Sequence, residues 1–366
     1  MKTITVSLAQ HTYPIYIGHN LLERSELMAP YISQKKAIIV SNPIVARYYL
    51  TPLKLALQQA AINTHILLLP DGEKHKNWQQ LDRIIQALLE QHGERSTPLI
   101  ALGGGVIGDI TGLAATLYYR GIPYLQIPTT LLAQVDAAIG GKTAINYHGK
   151  KNILGSFYQP QMVLADINTL NSLSQRQFCA GLAEVVKYAA INDIDFFEWL
   201  EQNIHALRQR DGECLLFAIQ RCCQHKAALV SEDEHDQGQR AWLNFGHTFA
   251  HAIETECQLD QYLHGEAVAI GMLFAAQASA WLGNLPQHDV MRLKNLLHNA
   301  GLPTKPPPLT LDNYLEAMRY DKKVRHGRIQ FILLKALGKA YHGELEKSLL
   351  ERLLTAKSST VYSTTG

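Results

Sequence analysis

Cysteine is scarce and poorly placed for pairing: Cys179, Cys214, Cys222, Cys223 and Cys257 make an odd five, with no Cys-x-x-Cys pair. A disulfide framework and a cysteine-rich zinc site are therefore not expected, and a reducing, cytoplasmic setting fits best. An excess of charge of either sign is missing too, with 34 Lys and Arg against 32 Asp and Glu. Such a balance makes no overall field for nucleic acid or an acidic membrane, so any anion must be held by locally gathered cations. Long apolar runs are absent. The segment Met1–Val6 alternates like a strand and lacks the apolar core of a secretory signal. The longest charge-free apolar stretch, Ala267–Gly283, is short for a membrane span and contains Gln277 and Ser279, which suits a buried helix. No internal repeat is present.

What remains is an ordinary globular composition, 47% apolar and 18% charged over 366 residues, long enough for two domains. Residues 3–8 and 13–17 alternate as a two-stranded ribbon. Apolar strands then recur at Ala37–Val40, Ile66–Leu69, Pro98–Leu102 and Tyr124–Ile127. Helical stretches separate them, among them Trp78–Gln91 with Leu81, Ile84, Ile85, Leu88 and Leu89 on one face. This alternation predicts a parallel sheet wrapped by helices. From about Ser172 helical periodicity takes over, through 174–191, 193–209, 212–231, 245–257, 264–282 and 287–300. A β-like run at Arg328–Leu334 and a helix near 344–355 follow, and the small, polar tail Ser358–Gly366 is expected to fray. The pattern divides the chain into an α/β domain over 1–172 and a mainly α-helical domain over 173–366.

Two stretches carry chemistry. Gly103-Gly-Gly105-Val106-Ile107-Gly108-Asp109 follows a strand and opens a helix, which matches the dinucleotide-binding turn G-x-G-x-x-G in its proper setting. Glycines admit a pyrophosphate close to the backbone, and the helix N-terminus offers free N–H groups and a positive dipole end. The acid that ordinarily holds the ribose about 20 positions later is missing, since no Asp or Glu lies between Asp109 and Asp136. The ribose is held from elsewhere, or the turn is a tight bend without a ligand. Asp71-Gly72-Glu73-Lys74-His75-Lys76 follows a strand end, where ligands collect in such sheets. The hydroxyls of Thr129 and Thr130 suit either a nucleotide or a helix cap. Gly140-Gly-Lys142 and Gly149-Lys-Lys151-Asn152 read as a flexible basic loop. The first of these is not a P-loop, because Asp136 stands where that motif requires its first glycine.

The second stretch runs from Asn244 to Glu266, with three histidines and the carboxylates Glu254 and Glu266. His247 and His251, four apart, share a helix face with Cβ atoms about 5–6 Å apart, a spacing that suits one divalent metal. The metalloprotease motif is excluded, since Thr248 occupies the place of its glutamate. An amphipathic helix that carries two histidines is the other reading.

Together these segments resemble the 3-dehydroquinate synthases, a family of the sugar-phosphate cyclase superfamily. The resemblance rests on Asp71-Gly-Glu-Lys, Gly103–Asp109, Arg120-Gly, Pro128–Asp136, Gly140–Asn146 and Lys151-Asn152. It continues through Gly181–Lys187, Asn244-Phe-Gly-His247, His264-Gly-Glu-Ala-Val and Asp321-Lys-Lys323, in family order over about residues 40–335. It implies a Rossmann-like NAD-binding α/β domain followed by a helical, metal-binding one. It also implies conversion of the phosphorylated keto acid 3-deoxy-D-arabino-heptulosonate 7-phosphate into 3-dehydroquinate and phosphate. In that chemistry NAD is used transiently: oxidation at C5, β-elimination of phosphate, reduction, ring opening and intramolecular aldol closure.

The resemblance assigns Zn²⁺ or Co²⁺ to Glu184, His247 and His264, and moves His251 to the substrate. Substrate contacts carried over are Lys142, Asn152, Lys187, Lys226, Arg240, Asn244, His251 and one of Lys322 or Lys323. Arg120 resembles an arginine that reaches the neighbouring subunit's site, which implies a homodimer. For NAD the implied contacts are Asp71, Gly72, Glu73, Lys74, His75 and Lys76, then Gly105, Val106, Ile107, Gly108 and Asp109. Thr129, Thr130, Lys142, Lys151, Thr169, Leu170, Asn171 and Ser172 complete that set. Rival readings are another cyclase of the superfamily, a metal-dependent polyol or alcohol dehydrogenase, and a non-catalytic NAD- or metal-binding module.

Overall fold

The computed structural model describes residues 1–236, 238–257, 261–319, 324–325 and 328–355. Lys322, Lys323 and the tail 358–366 lie outside the described residues. The chain divides into two compact units: Met1–Leu173 with Leu215–His235, and Ser174–Cys214 with Asp236–Gly366. The sequence pattern assigns 215–235 to the helical half; here they group with the first unit. Their polar atoms supply a reason. Cys223 Sγ donates to the Gln134 carbonyl, and Lys226 Nζ bonds the Asp136 carboxylate and carbonyl. Burial pushes the Cys223 thiol up to about 12, so it is inert, and none of the five cysteines is in a disulfide.

In the first unit, β1 (Lys2–Ser7) and β2 (Thr12–Gly18) form the expected antiparallel ribbon, in register from Lys2↔Ile17 to Ser7↔Thr12. The chain continues through β3 (Lys36–Ser41), α1 (Pro43–Gln59), β4 (Asn63–Leu68) and α2 (Trp78–Glu90). Then come β5 (Leu99–Gly103), α3 (Gly105–Leu117), β6 (Tyr124–Pro128), β7 (Lys142–Tyr147), β8 (Lys150–Phe157) and β9 (Met162–Asp166). Seven strands make one sheet in the order β1-β2-β9-β6-β5-β3-β4, parallel apart from the ribbon. Its central strands read as unbroken apolar runs because both faces are covered: Ile38 and Val40 join one core, Ala37 and Ile39 the other. Asn42 and Asn77 cap α1 and α2 by accepting from Val45 N and Gln80 N, each worth about 1 kcal/mol.

Order reverses at β3, whose neighbours are β4 on one side and β5 on the other. In a doubly wound sheet ligands bind beyond the carboxyl ends at such a switch point. Four of the segments singled out for NAD leave carboxyl ends, 71–76 after β4, 105–109 after β5, 129–130 after β6 and 169–172 after β9, whereas Lys142 and Lys151 lie in the separate hairpin β7–β8.

Two features of this unit differ from the sequence reading or escape it. The segment read as a basic loop is the hairpin β7–β8, with Thr143 and Ile145 buried and Lys142 and Tyr147 exposed. Glycines and lysines hide that alternation. The strand Met162–Asp166 is wholly buried and too short to show a period of its own.

The second unit contains the expected helices α4 (Gln175–Asn192), α5 (Ile194–Arg208), α7 (His247–Glu256), α8 (His264–Trp281) and α9 (Gln287–Asn299). Helix α6 (Gly212–Glu232) starts in this unit and passes into the first. Ser174 and Asp193 cap α4 and α5. The sequence reading did not pick out α10 (Leu311–Arg319). Strands β10 (Val324–Arg325), β11 (Arg328–Ala336) and β12 (Lys339–Glu344) form an antiparallel sheet before α11 (Lys347–Thr355). Helix α8 is buried on nearly every face from Gly265 to Ser279, and no described helix is long and apolar enough to cross a membrane.

Candidate active site

Glu184 sits in the middle of α4, whose residues 178–191 are all buried. His247 is the first residue of α7 and His264 the first of α8. Three ligand atoms, one from each side chain, lie within 4.8 Å of one another. Glu184 Oε1 stands 3.8 Å from His247 Nε2 and 3.6 Å from His264 Nε2, beyond hydrogen-bond reach. That oxygen is buried and has no hydrogen-bond partner among the described residues, a costly state for a carboxylate. Oε2 is in ion contact with Lys187, one turn along the helix and only 1% exposed.

These observations test whether a metal fits. Bonds of about 2.0–2.2 Å in a tetrahedron place ligand atoms roughly 3.3–3.6 Å apart, close to the 3.6 and 3.8 Å between Glu184 Oε1 and the two imidazole nitrogens. One carboxylate and two imidazoles are a sound donor set for Zn²⁺ or Co²⁺. The His264 side chain is 34% exposed, which leaves an open side for a substrate oxygen. His247 Nδ1 lies 3.3 Å from the Phe245 carbonyl, so its Nε2 is the atom turned to Glu184. Burial lowers the His264 ring, but the Glu254 and Glu184 carboxylates outweigh it and push it up to about 10. Cationic charge is thus favoured at the centre of this group. His251, the alternative partner of His247, is exposed, and its ring lies edge-on 5.8 Å from that of His247.

Backbone contacts bring the three together. A Cβ on Gly265 would fall 1.8 Å from the Ala180 carbonyl, and one on Gly271 would fall 2.1 Å from the Gly246 carbonyl. Gly265 follows His264, Gly246 precedes His247, and Ala180 is one turn before Glu184. The start of α8 is also clamped: Arg176 Nε and Nη2 bond both oxygens of Glu266 at 2.7 Å, and Glu266 Oε2 accepts from Leu263 N. Sequence reasoning quoted Gly246, Gly265 and Glu266 within its motifs but gave none of them this packing role, although Glu266 three residues after Leu263 has the spacing of a capping box. Elsewhere in this unit Arg240 is 1% exposed, and Asn244 ends the short helix Gln239–Asn244.

In the first unit, α3 begins at Gly105 with Gly104 as its cap residue, so no capping side chain stands over its N–H groups. A Cβ at Gly104 would meet Thr130 Cγ2 at 3.0 Å, so the turn and the β6 loop are in close contact. Thr130 Oγ1 accepts from Ala133 N, a cap, while the Thr129 hydroxyl is buried with no hydrogen-bond partner among the described residues. Gln134 Nε2 donates to the carbonyls of Pro128 and Asp166 and to Thr169 Oγ1, which ties the 129–130 loop to the turn Ile167–Ser172.

Lys76 is buried and pairs with Asp109 at 2.5 Å and with Asn152. Burial raises the Asp109 carboxyl, and the Lys76 ammonium acts against that rise. Glu73 Oε1 accepts from Asn146 Nδ2 at 2.8 Å, and Asp71 Oδ1 accepts from Asn42 Nδ2 at 2.7 Å. Asp71, Glu73, Lys76, Asp109 and Asn152 are thus held among the loops beyond β4 and β5 and the hairpin. Lys142 is exposed at the start of β7, after Gly140 and Gly141 with φ of 92° and 70°. Arg120 is exposed in a run of positive φ (Tyr119 51°, Arg120 64°, Gly121 126°), a strained turn that holds its side chain at the surface.

Comparison with known proteins gives these geometries a family setting. Residues 66–180 match the family described as 3-dehydroquinate synthase N-terminal, and residues 181–324 the one described as 3-dehydroquinate synthase C-terminal. The chain is 51% identical over 356 residues to 3-dehydroquinate synthase of Neisseria meningitidis serogroup C (strain 053442), covering 97% of this chain and 99% of that one. Its fold is similar to 2-deoxy-scyllo-inosose synthase complexed with carbaglucose-6-phosphate, NAD⁺ and Co²⁺ (TM-score 0.88, 28% identity, 96% and 99% coverage). It is equally similar to 2-epi-5-epi-valiolone synthase from Streptomyces hygroscopicus subsp. jinggangensis 5008 with NAD⁺ and Zn²⁺ (TM-score 0.88, 28% identity, 95% and 97% coverage).

Proposed function

Because the chain belongs to the 3-dehydroquinate synthase family, we propose the following roles for its own residues in that family's reaction. The protein is a carbon–oxygen lyase acting on phosphates: it converts 3-deoxy-D-arabino-heptulosonate 7-phosphate into 3-dehydroquinate and phosphate, with NAD and a divalent metal as cofactors. When bound, NAD supplies a reversible hydride acceptor, and Zn²⁺ or Co²⁺ a Lewis acid that acidifies a hydroxyl and polarises a carbonyl.

Glu184, His247 and His264 hold the metal, and the observation that carries this reading is the buried Oε1 of Glu184, without a hydrogen-bond partner among the described residues and facing two imidazole nitrogens. The N–H groups of Gly105–Asp109 receive the pyrophosphate. Asp71 or Glu73 binds ribose hydroxyls in place of the missing acid, with 72, 74–76, Thr129, Thr130, Lys142, Lys151 and 169–172 completing the cofactor loops. The substrate carries a carboxylate and a phosphate, and both need cations. Lys226, Arg240 and Asn244 suit the carboxylate. Lys142, Lys187, Asn152, His251 and one of Lys322 or Lys323 serve the remaining oxygens. No protein base is assigned, because the substrate's own phosphate oxygens can take the C6 proton. Arg120, on its strained exposed turn, reaches a second copy of the chain in a cytoplasmic homodimer.

Phosphate release tests the activity. The protein mixed with the heptulosonate phosphate, trace NAD⁺ and Zn²⁺ is expected to release phosphate and form 3-dehydroquinate without accumulating NADH. Stoichiometric NADH would instead indicate the dehydrogenase alternative, which the 51% identity to a 3-dehydroquinate synthase disfavours. For the ribose role, Glu73→Ala is expected to weaken NAD⁺ binding about tenfold, the loss of one charge-assisted hydrogen bond. Titration calorimetry measures it, and unchanged affinity returns the role to Asp71.

A further inference from the structure

Glu254 takes no part in the roles above, yet it is buried deep beside the metal site. It is 4% exposed, in the last turns of α7, and its Oε1 lies 3.2 Å from His264 Nδ1. A neutral imidazole has one N–H and one lone pair, and whichever group holds the N–H decides which nitrogen is left to bind. A carboxylate accepts only, so at 3.2 Å it fixes the proton on Nδ1. The lone pair then lies on Nε2, the nitrogen 3.6 Å from Glu184 Oε1. His247 is set the same way by a weaker acceptor, the Phe245 carbonyl 3.3 Å from its Nδ1.

The helix spacing explains how one element serves both. His247 and Glu254 are seven apart, two turns along one face of α7, so the helix that supplies one ligand also supplies the acceptor for the other. A buried carboxylate in such a place is costly unless its charge is used. Here it stands one imidazole away from the point on which Glu184, His247 and His264 converge.

We propose that Glu254 is a positioning residue for the metal: it holds His264 in the Nδ1–H tautomer and makes its Nε2 a stronger donor. The proposal rests on the metal-site reading above. The roles differ in kind, since Glu254 touches a ligand and not the ion. Outer carboxylates of this type contribute about 10–100-fold in metal affinity.

The test measures Co²⁺ affinity of the full chain by chelator competition, together with the Co²⁺ d–d absorption spectrum. Glu254→Ala is expected to lose affinity by about 10–100-fold and to shift the spectrum. Glu254→Gln keeps the shape and an acceptor oxygen but not the charge, and is expected to recover part of the loss, to about tenfold. A purely structural role would not follow this order at unchanged NAD⁺ affinity, which serves as the check on folding. If the alanine variant misfolds, the nearly isosteric glutamine variant decides by itself: parental affinity and spectrum would overturn the proposal. His264→Ala separates the two readings. If it abolishes Co²⁺ binding while both Glu254 variants bind like the parent, this proposal fails alone. If His264→Ala leaves Co²⁺ binding intact, the metal-site reading fails and carries this proposal with it.

Discussion

Replacing His264 with alanine is expected to strip bound Zn²⁺ or Co²⁺ and to lower turnover by roughly a thousandfold, whereas His251→Ala keeps the metal and lowers turnover alone. The magnitude follows from the several kcal/mol that a Lewis acid contributes, at about 1.4 kcal/mol per factor of ten. His264 is a cleaner probe than Glu184. Removing Glu184 would break its ion contact with the nearly fully buried Lys187, and breaking a buried ion pair costs about 3–5 kcal/mol, so the variant could fail through folding. The His264 side chain is one third exposed, and its loss leaves Glu254 within reach of water. Metal content after dialysis against a weak chelator, read beside phosphate release, separates the two variants. A full metal complement in His264→Ala, or its loss in His251→Ala, would falsify the assignment.

How much of this was legible in the sequence depends on the range of the interaction concerned. Strands such as Ala37–Val40 and Pro98–Leu102 announce themselves because a parallel sheet covered on both faces needs unbroken apolar runs. The nucleotide turn is legible because strand, glycines and helix are contiguous. The grouping of Glu184, His247 and His264 is not legible from spacing. The local pattern pairs His247 with His251, which share a helix face, whereas His264 comes from another helix start and Glu184 from a third helix. Only the resemblance to a family joined them. Glu254 and Glu266 stand in the stretch that the sequence singles out, but their pairing with His264 and Arg176 escaped, because a carboxylate in an amphipathic helix looks like solvated surface until its partner is seen.

Other misses have equally physical causes. The hairpin Lys142–Phe157 carries lysines, glycines and an Asn152 at φ 52°, which read as loop chemistry although the backbone pairs from Lys142↔Phe157 to Tyr147↔Lys150. The grouping of 215–235 with the first unit is invisible to periodicity. Helix α6 has the same 3.6-residue pattern whichever core its apolar face meets, and a few contacts such as Lys226 to Asp136 and Cys223 to Gln134 accompany the choice.

The same logic makes Gly271→Ala the most informative change for stability, because two effects of opposite sign compete. Gly271 lies in the middle of α8, where alanine is the better helix former by about 1 kcal/mol. On propensity alone the variant is more stable. Yet the new Cβ would stand 2.1 Å from the Gly246 carbonyl and 3.1 Å from Ala250 N, and backbone cannot rotate away as a side-chain end can. Overpacking of this kind typically costs about 1–3 kcal/mol and more against main chain, so a net loss of about 3 kcal/mol is expected. Gly283, just past the end of the same helix at φ 77° with open space around it, supplies the control. Alanine there should cost only the left-handed strain of about 1–2 kcal/mol. Since Gly246 adjoins His247, relief of the Gly271 clash must shift the start of α7, so surviving Gly271→Ala protein should also bind Co²⁺ more weakly, unlike Gly283→Ala. Urea melts of the metal-free chains and Co²⁺ titration of the folded ones read both effects. A Gly271→Ala chain that melts at higher urea than its parent would show that the two helices are free to separate, and the close backbone contact would then not be what sets His247.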